Sequence, residues 1–196
     1  MDNQIIIAID AMGGENAPSK NIEGISIFLK KNRNKKDFFF NIYGDETLLT
    51  KEIKKYKITT NLYKIFHCST VVSDEETPLT AIKNSKDSSM WNSINSQTIF
   101  NSNITLSAGN TGVLFVVSRM LLKTIDSVSK PALAGLWPNK KNMNVVLDLG
   151  ANVECDENNL VDFSEMGAAL YKALFPQDSP KVALLNIGSE QIKGTE

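Results

Sequence analysis

Short runs of Ile, Val, Leu and Phe with almost no apolar/polar alternation recur along this chain, and they constrain the fold more than any other feature. The clearest cover residues 4–10, 38–43, 103–107, 145–149 and 182–187, with weaker ones at 62–66 and 132–136. A strand that is apolar on both faces must be covered on both faces, as in a parallel sheet flanked by helices. Longer amphipathic runs lie between them. Ile22, Ile25, Ile27, Phe28 and Leu29 make one stripe, residues 111–122 are apolar nearly all round, and residues 160–175 run up to Pro176. A further helical stretch at 77–96 is expected to break at Asp87-Ser88-Ser89, where hydroxyl side chains compete for backbone groups. The order reads as βα units: an α/β fold around a mostly parallel sheet.

At 196 residues and 42% hydrophobic, the chain can bury a real core. It is expected to form a single α/β domain over residues 1–196, the N-terminal portion of a longer one. A net charge of -1 offers no field that would gather nucleic acid. Cys68 and Cys155 lie far apart, and His67 is the only histidine, so neither a disulfide framework nor a metal site is expected. Residues 113–117 are apolar but stop at Ser118 and Arg119, short of the roughly 18 residues that span a bilayer. Asp2 runs straight into the first strand, so no signal peptide is expected and a cytoplasmic location is.

Four of the apolar runs end in glycine-rich loops. They are Asp10-Ala11-Met12-Gly13-Gly14, Ser107-Ala108-Gly109-Asn110-Thr111-Gly112, Asp148-Leu149-Gly150-Ala151-Asn152 and Asn186-Ile187-Gly188-Ser189-Glu190. In open α/β sheets ligands bind outside the carboxyl ends of the strands, and all four loops are expected on that edge. Glycine allows close backbone approach, and the helix starts that follow present free N–H groups to an anion. Each loop taken alone is equally an ordinary strand-to-helix cap. Neither GxGxxG nor GxxxxGK[ST] occurs, which points to a phosphate-sized anion and against NAD or ATP.

Together these motifs resemble the PlsX family of phosphate acyltransferases. Asp10-Ala11-Met12-Gly13-Gly14 with Ala17-Pro18 matches the start of that family's signature. Lys86-Asp87-Ser88-Ser89-Met90, the Gly109-Asn110-Thr111-Gly112 loop, the Asp148 to Asn152 loop and the 184–190 run with Lys193-Gly194 follow in the family's order. Glu15, Val113 and Lys130 depart from it by mild exchanges, and family chains continue well past Lys193-Gly194. The resemblance implies a three-layer α/β/α sandwich like that of phosphotransacetylases and isocitrate dehydrogenases. It also implies reversible transfer of a long-chain acyl group from acyl carrier protein to inorganic phosphate. The product, an acyl phosphate, would feed phospholipid synthesis. No cofactor is implied. A homodimer is, with peripheral contact to the inner membrane or to a glycerol-3-phosphate acyltransferase. The alternatives are an inactive remnant, a carrier-protein-binding module, or a nicotinamide dehydrogenase, the last opposed by the absent dinucleotide motif.

Attack of phosphate on a thioester needs positioning and oxyanion donors more than covalent help. The catalytic candidates are Lys86, as a phosphate-pairing cation, His67, as general acid or base, and Asn110. The phosphate-binding candidates are Asp10, Gly13, Gly14, Ser107, Gly109, Thr111, Gly112, Asn152, Asn186, Ser189 and Lys193. Asp10 and Asp148 read better as groups that orient loops or a helix start than as ionising participants, while Lys86 reads equally as a solvated helix lysine and His67 as a half-buried structural residue. A covalent role for Cys68 is disfavoured, since free cysteines usually behave as small buried hydrophobes. The basic stretch from Lys30 to Lys36 reads as a solvated helix end or a contact for the acidic carrier.

Overall fold

A computed structural model describes residues 4–33, 37–100, 102–186 and 188. The chain divides into two compact units, Met1–Lys123 and Thr124–Glu196.

The first unit is built as the apolar strands require. In chain order it contains β1 (Ile5–Asp10), α1 (Ser19–Lys31), β2 (Phe38–Gly44), α2 (Glu46–Tyr56), β3 (Tyr63–His67), α3 (Pro78–Asn84), α4 (Ser89–Ile99), β4 (Ile104–Ser107) and α5 (Thr111–Leu122). The strands form one parallel sheet in the order β3-β2-β1-β4. Alternate residues of the central strands serve opposite faces. Ile7, Ile9, Phe40 and Ile42 pack with Ile22 and Ile25 of α1 and with Leu49 and Ile53 of α2. On the other face lie Ala8, Asp10 and Tyr43, all buried, and α4 packs there against β1, β2 and β4. Ser89, Ser93 and Ser96 of α4 are buried at helical spacing, and their small side chains let the helix approach the sheet closely. α5 lies outside α4, joined through Met90, Ile94, Val113 and Val117. This is the expected three-layer arrangement around a parallel sheet.

Sequence and structure agree on the break inside residues 77–96. α3 ends at Asn84, and Ser88 caps a new helix by accepting from Trp91 N at 3.1 Å. The helix α2 goes unread in the sequence, although Asp45 caps it by accepting from Leu48 N at 2.8 Å.

The second unit contains β5 (Gly135–Pro138), β6 (Met143–Val146) and α6 (Glu157–Leu174), the last opened by a reciprocal cap between Asp156 and Asn159. Here two expectations fail. The two strands form an antiparallel hairpin, not members of the parallel sheet. Only four residues join them, whereas a parallel crossover needs about a dozen, and Asn139 Oδ1 closes the turn by accepting from the Lys141 and Asn142 amides at 2.7 Å. Residues 182–186, expected as a strand, have no regular structure. An apolar run becomes a strand only when a neighbour completes its ladder, and among the described residues none does; Leu184 and Leu185 are 73% and 81% exposed. Among the described residues no helix is long and apolar enough to cross a membrane.

Candidate functional site

Parallel pairing of β1 with β4, in the register Asp10↔Ser107, brings two glycine loops side by side at the carboxyl edge of the sheet. A methyl group added at Gly13 would lie 2.6 Å from Asp10 Oδ2 and 2.8 Å from Gly109 N, so only glycine permits this contact. Gly14, at φ +88°, abuts Ala108 as closely. Asn21 of α1 holds the first loop from behind, donating to the carbonyls of Ala11 and Gly13 at 2.9 Å each.

Asp10 stands at the centre of this cluster and is 2% exposed. Its Oδ1 accepts from the Ser89 hydroxyl at 2.6 Å, and its Oδ2 accepts from the Ser107 hydroxyl at 2.7 Å. Ser107 Oγ in turn accepts from the Gly109 amide at 3.1 Å. Ser89 escaped the sequence reading as a site residue, although it lies within the Lys86 to Met90 motif. Nothing local marks it, because its partner is 79 residues away.

Beyond Gly109 the chain enters α5. Asn110 Oδ1 caps that helix by accepting from Val113 N at 3.1 Å. Its Nδ2 reaches the carbonyls of Asp74 at 3.1 Å and Glu76 at 2.9 Å, pinning the 73–76 segment. Both ends of Asn110 are therefore engaged in holding the loop. Thr111 and Gly112 occupy the first helical turn, where amides have no intrahelical acceptor, and both residues are exposed. A first turn of this kind holds an anion through backbone N–H groups and the helix dipole.

Lys86 is exposed in the turn just before α4, three residues from Ser89. His67 ends β3, two strand spacings from β1, or about 10 Å across the sheet. Its Nδ1 accepts from the Glu46 amide at 3.3 Å, so that nitrogen carries no proton and Nε2 is left as the donor. His67 lines a cleft of about 320 Å³ with Tyr43, Phe66, Cys68, Asp87 and Phe100. Burial pushes the Cys68 thiol up to about 11, which leaves very little thiolate near neutrality and argues against a covalent acyl-enzyme.

Asn152 and Asn186 belong to the second unit. The Asn152 side chain donates to Pro131 O at 2.8 Å and to Asp148 Oδ2 at 3.1 Å. Asn186 donates to Gly188 O at 3.0 Å. Ser189 and Lys193 lie outside the described residues, as do Lys35 and Lys36 of the basic stretch. The structure thus gathers Asp10, Gly13, Gly14, Ser107 and Gly109 in one cluster, with Asn110, Thr111 and Gly112 leading away from it.

Comparison with known proteins places this geometry in a family. Residues 5–196 match the family described as "Fatty acid synthesis protein". Similar relatives include a phosphate acyltransferase of Pelagibacter ubique (strain HTCC1062), 50% identical over 196 residues, and one of Wolbachia pipientis subsp. Culex pipiens (strain wPip), 39% identical over 197 residues. All of this chain is covered in both matches, and it spans 57% of the length of each relative. Among solved structures, a EutD phosphotransacetylase from Staphylococcus aureus aligns with a TM-score of 0.64 at 14% identity, covering 97% of this chain and 60% of that one, a likeness of fold. The chain belongs to the fatty acid synthesis protein family, and the resemblance to phosphate acyltransferases read from its loops extends over its full length.

Proposed function

We propose that this chain carries the phosphate-holding part of an acyltransferase that moves a long-chain acyl group from acyl carrier protein to inorganic phosphate, reversibly, for phospholipid synthesis. The observation that supports it is the packing of the Gly13-Gly14 loop on the Gly109 loop where α5 begins. That arrangement offers backbone donors and a helix N-terminus to a small anion. The relatives named phosphate acyltransferase supply the chemistry.

In this reading phosphate sits at the Thr111 and Gly112 amides, and Lys86 supplies a cation from the turn before α4. A phosphate oxygen attacks the thioester carbonyl carbon. The C–O bond forms, the C–S bond breaks, and the carrier thiolate leaves. Backbone amides of the glycine loops stabilise the carbonyl oxygen as it becomes an oxyanion. His67 ends β3, three strand spacings from β4, and protonates the departing sulfur through intervening water. Asn110 acts by holding the loop. The protein works in the cytoplasm as a homodimer, touching the membrane surface or a glycerol-3-phosphate acyltransferase that consumes the acyl phosphate.

The test is an acyl phosphate assay with acyl carrier thioester and inorganic phosphate. It compares the 196-residue chain with a version extended to the length of its relatives. Phosphate-dependent acyl phosphate formation by either supports the reading. Carrier protein bound tightly by both, with no product, replaces it with a carrier-binding module.

A further inference from the structure

Resting on the phosphate reading above, we infer that Asp10, Ser89 and Ser107 form a positioning clamp that sets the spacing of the two glycine loops, and that Asp10 itself does not touch the phosphate. Three chain segments meet at one carboxylate: the end of β1, the end of β4 and the first residue of α4. The latter two are tied to Asp10 by short hydrogen bonds, Ser107 Oγ to Oδ2 at 2.7 Å and Ser89 Oγ to Oδ1 at 2.6 Å. Ser107 passes the constraint on, because its oxygen also accepts from the Gly109 amide. Ser89 passes it outward too, since its amide donates to Thr70 O at 3.3 Å. Gly13 closes over Oδ2, leaving no room there for even a methyl group.

That enclosure decides against a contact role. Asp10 is 2% exposed, both its oxygens are occupied, and the ion pairs among the described residues, Lys20 with Glu23 and Lys55 with Glu52, do not involve it. A buried carboxylate without a cation repels an incoming anion. Two hydroxyl donors satisfy it, and the donors a phosphate can use lie further along, on Thr111 and Gly112. The Gly109 amide is spent on Ser107. Asp10 therefore acts through the loops it holds, and Ser89 is a positioning residue of equal standing.

The clamp is tested with Ser89→Ala, Ser89→Thr and Asp10→Asn in the full 196-residue chain. Two readouts are used: amide hydrogen exchange without ligand, and calorimetric affinity for inorganic phosphate. Removing one hydrogen bond to a buried charge costs about tenfold in the equilibrium it supports. Ser89→Ala is expected to speed exchange at the Gly109 amide about tenfold, leave Ile7 and Ile42 unchanged, and weaken phosphate about tenfold. Ser89→Thr keeps the hydroxyl and recovers both in large part, the rest lost to its extra methyl at this buried site. Unchanged Gly109 exchange and unchanged affinity in Ser89→Ala overturn the clamp. So does Asp10→Asn if it tightens phosphate while loop exchange stays as in the parent, because Asp10 then acts only as a charge. Should Asp10→Asn fail to fold, the Ser89 pair decides alone. A parent chain that binds no phosphate counts against the phosphate reading, and the exchange measurement still judges the clamp.

Discussion

Asp10 and Asp148 both follow an apolar run and open a glycine-containing loop, yet the two units use them differently. Asp10 is buried and accepts from two serine hydroxyls that arrive from 79 and 97 residues away. Asp148 is half-buried and accepts from nearby donors, the Leu133 amide at 2.8 Å and the Asn152 amide at 2.7 Å. The first carboxylate ties together the parallel sheet, a neighbouring strand's loop and a helix start. The second organises a local turn beside an antiparallel hairpin. Two similar motifs therefore differ in reach, and reach follows from the number of strands and helices that converge on the residue. Burial pushes the Asp148 carboxyl up, but the Leu133 and Asn152 hydrogen bonds outweigh it and hold the group below the ordinary aspartate value.

Substitution breaks this comparison most sharply at the aspartates. Asp10→Ala strands the buried Ser89 hydroxyl and the half-buried Ser107 hydroxyl and is expected to cost about 3 kcal/mol, against about 1 kcal/mol for Asp148→Ala, whose donors turn to water. Urea unfolding followed at Trp91 for the first unit and Trp137 for the second measures both; equal losses would erase the distinction. Next in size is Gly13→Ala, whose new methyl meets backbone and a fixed carboxylate, expected at about 2 kcal/mol. Gly112→Ala has only ordinary contacts at 3.5 Å and is expected to stabilise by about 0.5 kcal/mol through helix propensity.

A pH titration sharpens the comparison from the other side. Asp148 is depressed in the folded chain, so the native state binds fewer protons than the unfolded state as pH approaches its ordinary value of 3.8. Its contribution is fully present above that value and is lost as pH falls below it, through the folded pKa. Trp137 fluorescence should show a weakening of the second unit in that window, and Asp148→Asn should lack it. An identical acid profile in parent and variant contradicts the assignment.

Much of the first unit was legible in the sequence because its strands are mostly apolar along their length, β1 and β2 being buried on both faces while β4 leaves Ile104 and Leu106 exposed. Residues 4–10, 38–43 and 103–107 read as strands without further context. The α4 break was legible too, since Ser88 is a local cap. Pairing was not: nothing in the sequence places β4 beside β1, and that pairing creates the glycine cluster. For the same reason Ser89 was invisible as a partner of Asp10. The hairpin was misread because its strands carry the same apolar composition as parallel ones, and only the short connection at residues 139–142 separates the two cases. The third loop, grouped with the first two by composition, belongs to the second unit, and most of the fourth lies outside the described residues.

The central claim, that the paired glycine loops of the first unit hold phosphate, is tested most directly by titrating inorganic phosphate into the ¹⁵N-labelled 196-residue chain. Saturable amide shifts confined to Gly13, Gly14 and residues 109–112, with the residues around Asp148 and Asn152 unmoved, are the predicted result. Shifts centred on Asn152, or none at the glycine loops at concentrations that saturate the binding, would contradict it.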